Sequence, residues 1–242
     1  MLRADANGHA KVVFVPGQGD KARTGRSFDR IVVVILENTN YADALAHPYL
    51  KSLTTLQNPT GRLLSNYHAV THPSQPNYIA QIAGDTFGVG DDGNHADYPT
   101  PGACFLGSSA ASTTGCSSTA SYVRKHNPFV SFSGITSSPA RCKHLVDEAA
   151  LDADIAAGSV PQVAFYYPNQ CNNGHDTGIA YADRWLQSWL PGKLSNVSFM
   201  NNTLLFVTFD ENSGSQGNQV YAAILGFMVT NNTADATACT HY

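Results

Sequence analysis

Apolar runs stand out along this chain against a polar, glycine-containing background. Ile31 to Leu36 reads IVVVIL, a continuous and largely β-branched stretch that predicts a strand buried on both faces. Leu204 to Phe209 repeats the pattern as LLFVTF, and Val163 to Tyr167 gives a shorter third copy, VAFYY. Strands of this kind belong to parallel or mixed sheets covered by helices, and the ligand sites of such sheets lie beyond the carboxyl ends of the strands. Helical periodicity predicts helices over Asp147 to Ala157 and Thr177 to Leu190, the second carrying Tyr181, Trp185 and Trp189 near one stripe that suits packing against the sheet. A small apolar patch at Val12 to Val15 predicts an edge strand within the polar segment 1–27. Asp85 to Ser121 is rich in Gly, Ser, Thr, Ala and Asp without clear periodicity, and is expected to be an irregular excursion over the site face. The expected class is α/β with a mostly parallel central sheet.

The strand ends carry the chemistry. Ile31–Leu36 stops at Glu37-Asn38, Leu204–Phe209 stops at Asp210-Glu211-Asn212, and Val163–Tyr167 leads into Pro168 to Asp176, a segment dense in amide, imidazole and carboxylate donors that includes His175. One acidic strand end alone is ordinarily a solvated turn or a helix cap. Three that deliver Glu, Asn, Asp, Glu, His and Asp to one rim suit a divalent cation, whether zinc, magnesium, manganese or calcium.

Between the first and third strands, the segment from Ser65 to Gly84 predicts a helix. Ser74 stands at the N-cap, Pro76 falls in the first turn, Ile79 and Ile82 share a face, and Gly84 ends it. Ser74 has two readings here, a cap or a nucleophile. The amides and the positive dipole end of a helix N-terminus favour an anion beside that hydroxyl.

Taken together, Glu37-Asn38, His72-Pro-Ser-Gln-Pro-Asn-Tyr78, Tyr122-Val-Arg-Lys-His-Asn-Pro-Phe129, Pro168 to Asp176 and Phe209-Asp-Glu211 resemble the phosphoesterase family of secreted acid phosphatases and bacterial-type phospholipases C, which is related to alkaline phosphatase. The resemblance runs from about Phe28 to the end of the chain and is nearer the acid phosphatases than the phospholipases. It implies a three-layer α/β/α sandwich over residues 28–242 and hydrolysis of phosphate monoesters through a phosphoserine. Ser74 would be the nucleophile, with Thr71 the weaker candidate. Glu37, Asn38, Asp210 and Glu211 would hold the metal against the serine oxygen. His175 and Asp176 would act either as ligands of a second ion or as phosphate contacts and leaving-group acid. His72, Asn77, Lys125 and His126 would bind the phosphate. A phosphodiesterase or phospholipase C using the same residues, and an inactive phosphate-binding relative, are the alternatives. Thr240-His-Tyr242 resembles the beginning of a motif that continues in the family. A C-terminally truncated domain with a frayed His241 is therefore expected.

Composition narrows the remaining classes. A chain of 242 residues with 43% hydrophobic and 13% charged residues can bury one large core. The net charge of -4 and the lack of a Lys/Arg stripe speak against nucleic acid as the main partner, and the resemblance implies a small phosphate ester. No apolar run approaches the roughly 20 residues of a membrane span, and no signal core is readable in Met1 to Arg26. Sequons at Asn196, Asn201 and Asn231 nevertheless suit a secreted glycoprotein. The five cysteines lack Cys-x-x-Cys spacing, which favours disulfides over a zinc knuckle. Cys104 with Cys116 is the expected first pair, and the odd count leaves Cys239 over. His68 reads as a satisfied interior histidine. The spacing does not determine the oligomeric state.

Overall fold

The computed structural model describes residues 27–93, 122–147, 149–214, 216–230 and 233–242, together with short strands at 2–4, 10–12 and 109–110. Its central sheet has five strands: β1 (Arg30–Leu36), β2 (Thr60–Leu63), β3 (Val163–Tyr166), β4 (Thr203–Phe209) and β5 (Ala222–Gly226). They lie in the order β2-β5-β4-β1-β3. β1 pairs in parallel with both β3 and β4, while β5 is antiparallel to β4 and to β2. Two reversals cancel, so four strands point one way and only β5 opposes them.

β1 lies between two neighbours, and its side chains divide between two cores as the alternation of a strand requires. Val32, Val34 and Leu36 join a large cluster with Leu186, Leu190, Leu205 and Val207, whereas Val33 and Ile35 pack with Tyr78 on the opposite face. The five main helices are α1 (Tyr41–Ala46), α2 (Pro48–Leu53), α3 (Ser74–Ala83), α4 (Ala149–Ala157) and α5 (Ile179–Trp189). α5 covers the first face, placing Trp185 and Trp189 against Tyr166 of β3 at centroid distances of 6.2 and 4.5 Å. Tyr181 departs from the expected stripe and is exposed. No helix among the described residues is long and apolar enough to cross a membrane.

At the far side of the sheet, β5 lies in the apolar run from Val220 to Leu225, which was not singled out above, whereas β2 is invisible to the apolar pattern. β2 reads Thr-Gly-Arg-Leu, too short and polar to announce itself. Gly61 is required there because an added Cβ would fall 1.8 Å from the Leu53 carbonyl oxygen at the end of α2. The expected patch at 12–15 is only partly described. Ala10–Val12 pairs with Leu2–Ala4, and residues 13–15 lie outside the described residues. The same holds for Cys104, Cys116, Asn231 and most of the 85–121 stretch. Cys239 is a free thiol, as the odd count implied.

α2 starts at Pro48 with no side-chain cap of its own. A remote carboxylate does the work: Asp183, buried on α5, accepts N–H bonds from Leu50 at 2.8 Å and Tyr49 at 3.3 Å. It satisfies two otherwise orphaned amides and offsets the helix dipole. Asp183→Ala is expected to cost about 1–3 kcal/mol of unfolding free energy, seen as a lower urea midpoint with an unchanged denaturant slope. Asp183→Asn, which keeps one acceptor, is expected to lose less.

Candidate active site

Register builds the site. Leu36 pairs with Phe209 across the parallel β1 and β4, so the next residues, Glu37 and Asp210, emerge side by side. Asp210 N–H bonds back to the Leu36 carbonyl at 3.0 Å, and Asn38 N–H donates to Asp210 Oδ1 at 3.1 Å, closing the two strand ends on each other. Asn38 takes a left-handed φ of 43° to make that turn. Asn38 also lines a cleft of about 300 Å³ together with Thr39, Asp43, His47 and Ser213. The loop after β3 joins the same rim, where the Asn173 carbonyl accepts the Glu37 N–H at 2.9 Å.

α3 approaches from the other side. Pro73, not Ser74, holds the N-cap position, and Ser74 is the first helical residue with no capping bond. Its hydroxyl is therefore free for other partners. Ser74 Oγ lies 3.1 Å from Glu211 Oε1 and 3.4 Å from Glu37 Oε2. One turn on, Tyr78 shares the face of Ser74, as i,i+4 spacing dictates, and donates its buried hydroxyl to Glu37 Oε1. Asn77 fixes the preceding loop with all its polar atoms: Oδ1 accepts from Val70 and Thr71 N–H, and Nδ2 donates to the Thr71 and Pro73 carbonyls. Its amide is committed to the backbone rather than turned toward a ligand. Gly84 ends α3 in the left-handed conformation, as its position predicts.

The remaining expected residues assemble unevenly. His72 Nδ1 pairs with Glu211 Oε2. His126 is buried, stacked on Tyr78 at 5.0 Å, with Nε2 3.2 Å from Glu37 Oε1. His175 pairs with Asp176 at 2.7 Å. Lys125 turns to Asp92 at 2.6 Å. Thr71 is tied into the loop by its own main chain. Asn169 is an Asx-turn residue, accepting from Cys171 and Asn172 N–H. His68 is satisfied away from the site by the Gly217 carbonyl and the Asn66 side chain. His241 is not frayed. It is buried, with Nε2 donating to the Asp210 carbonyl at 2.6 Å and Nδ1 accepting from Tyr67 at 3.1 Å. Burial lowers its pKa to about 4, so the ring is neutral in this arrangement.

Sequence reasoning missed Tyr78 and Asp92. The i,i+4 step from Ser74 was the available signal for Tyr78. Asp92 carried none, since its role arises from a loop folding back across the helix.

Three acidic groups converge with little cationic relief. Burial, then the Asp210 charge, raises Glu37 well above the usual carboxylate range. Burial and Glu211 raise Asp210 to about 7, and burial raises Glu211 to about 7. Burial, assisted by Lys125 and His175, lowers His126 well below the usual imidazole value. Asp210 Oδ2 is buried without a hydrogen-bond partner. Ligand atoms of Glu37, His126 and His175 lie within 4.8 Å of one another, a group that can hold a metal ion. An orphaned carboxylate oxygen among further carboxylates and two imidazoles fits a divalent cation.

The sequence profile of the Phosphoesterase family matches residues 102–223, about half of the chain. The chain belongs to this family. It is 35% identical to an acid phosphatase of Aspergillus fumigatus, over 90% of this chain and 53% of that protein. A phosphate-repressible acid phosphatase of Penicillium chrysogenum is 33% identical over 90% of this chain and 57% of its own length. The phosphatidylinositol-3-phosphatase of Mycobacterium tuberculosis is 33% identical over 94% of this chain and 78% of its own. The chain thus spans a little over half the length of these fungal phosphoesterases.

The raised carboxyls give the cation-free protein a distinctive pH dependence. Between about 4, where the unfolded groups ionise, and about 7, the folded state binds more protons than the unfolded one. Stability from these groups is therefore present on the acid side and is lost as pH rises through that window. A divalent cation favours the ionised forms and reverses the trend. At about 100-fold above its Kd it is expected to raise Tm by roughly 5–10 °C at pH 7.5, and by less at pH 5. Thermal melts insensitive to both pH and cation would contradict this account.

Proposed function

We propose that the chain hydrolyses phosphate monoesters, with Ser74 as nucleophile and a phosphoserine intermediate. The observation that carries this reading is a serine hydroxyl at the N-terminus of α3 held 3.1 and 3.4 Å from two buried carboxylates on different segments. Support comes from relatives that are all named phosphatases. Residues 28–242 would form the phosphoesterase domain. Its three-layer arrangement is supported by the two cores on opposite faces of β1. A secretory setting is supported by the sequons.

Glu37, Asn38, Asp210 and Glu211 would hold a divalent cation, with His126 beside Glu37 in the donor set and His175 left to the leaving group. When bound, the cation supplies positive charge that favours ionisation of the serine hydroxyl and neutralises the phosphoryl oxygens. Ser74 Oγ attacks phosphorus while its proton leaves toward Glu211 Oε1. The bond from phosphorus to the ester oxygen breaks, and His175, held by Asp176, protonates the departing alcohol. Water then cleaves the phosphoserine, releasing inorganic phosphate and restoring the Ser74 hydroxyl. Lys125, the Gln75 amide and His72 contact the phosphoryl oxygens. Asn77 positions the nucleophile by fixing its loop, and Tyr78 holds Glu37 in place.

Ser74→Ala is expected to reduce turnover by more than about a thousandfold while changing unfolding free energy by only about 1 kcal/mol. Acid quenching of the wild type during turnover is expected to trap phosphate on Ser74. Recovered protein carrying no label, with the rate intact in Ser74→Ala, would sink the proposal. Asp210→Asn is expected to weaken cation binding at least about tenfold, with part of the rate restored by excess cation. Comparing p-nitrophenyl phosphate with its bis ester and with phosphatidylcholine separates this activity from diester hydrolysis. Phosphate binding without turnover would identify a non-catalytic relative.

A further inference from the structure

Asp92 lies on the loop that leaves α3, and its carboxylate holds two donors that a phosphoryl group at Ser74 would need. Oδ1 accepts the main-chain N–H of Gln75, the residue after Ser74, at 3.0 Å. Oδ2 accepts from Lys125 Nζ at 2.6 Å. The side chain is partly exposed, at the mouth of the site, and its charge reaches Glu211. An ordinary account exists: Pro73 offers α3 no side-chain acceptor, and Asp92 caps the helix in its place. Yet a helix-terminal amide and an ammonium beside a nucleophilic hydroxyl also form an anion seat. The single Gln75 N–H cannot serve a carboxylate and a phosphoryl oxygen together, and although the Lys125 ammonium carries three donors, two anions side by side at this seat repel.

We propose that Asp92 is a built-in anionic competitor, occupying the Gln75 N–H and Lys125 until a phosphoryl group displaces it, and so setting the affinity of the site for phosphate. The inference rests on Ser74 being the nucleophile. Only the carboxylate has to move, since the Asp92 side chain is partly exposed and a change of its rotamer releases both donors. The donors are then free, and Asp92 returns to them when inorganic phosphate departs. Product release is assisted by the same contact that opposes substrate entry.

The decisive variant is Asp92→Asn, which keeps an acceptor for the Gln75 N–H and removes the charge. The KM for p-nitrophenyl phosphate and the competitive Ki of inorganic phosphate are both expected to fall about tenfold. The gain should shrink in a Lys125→Met background, because the released ammonium is part of the seat. A capping or Lys125-orienting role would instead leave KM and Ki unchanged or raise them, which overturns the proposal. Failure of the underlying reading looks different. The cation-loaded wild type would then neither hydrolyse p-nitrophenyl phosphate nor bind inorganic phosphate by calorimetry, and the role of Asp92 would fall with it.

Discussion

The parallel pairing of β1 with β4 is the constraint on which the rest of the structure depends. Leu36 opposite Phe209 forces Glu37 and Asp210 into the same dry space. Two like charges brought together there are unfavourable in isolation. The surroundings read as a set of partial answers to that difficulty. Tyr78 gives Glu37 a proton donor, the Asn38 amide gives one to Asp210, and Ser74 and His72 serve Glu211. None brings a fixed positive charge, and Asp210 Oδ2 is left with nothing. The nearest permanent positive charge, Lys125, is paired with Asp92 and relieves Glu37 and Glu211 only in part, and Glu37, His126 and His175 together can hold a metal ion.

α3 supplies the other half of the chemistry by geometry alone. A single turn of helix sets Ser74 and Tyr78 on one face, so hydroxyl and phenol meet the same Glu37. Ser74 and the clamp on its neighbouring carboxylate thus sit on one turn of helix. His241 contributes from a distance, gripping the Asp210 main chain and leaving the carboxylate itself untouched.

Much of this was legible in the sequence where local pattern and long-range structure agree. β1 and β4 declared themselves because strands buried on both faces need unbroken apolar runs, and their acidic ends marked the site. The helix after Ser65 was legible through its punctuation, although Ser74 proved to lie one position inside it. β2 was not, since Thr-Gly-Arg-Leu is held by neighbours and by a close approach at Gly61 that no composition reveals, whereas β5 had its signal in the apolar run from Val220 to Leu225. Asp183 and Asp92 were equally silent. Each is an isolated acid whose meaning depends on amides far away in the chain or across a fold-back. His241 failed as an expectation for a related reason: a near-terminal residue frays only if nothing binds it, and here Tyr67 and Asp210 do.

The commitment of Asn77 has a consequence for chemical ageing. Conversion of this single amide to an acid, by mutation or slow hydrolysis, would leave the Val70 and Thr71 amides served. It would also set a carboxylate oxygen against the Thr71 and Pro73 carbonyls, where the amide nitrogen now donates. Acceptor would face acceptor twice over, on the stretch of backbone that leads directly into Ser74. A change of one nitrogen for one oxygen would thus disturb the backbone that positions Ser74 while every other side chain of the candidate site is still present.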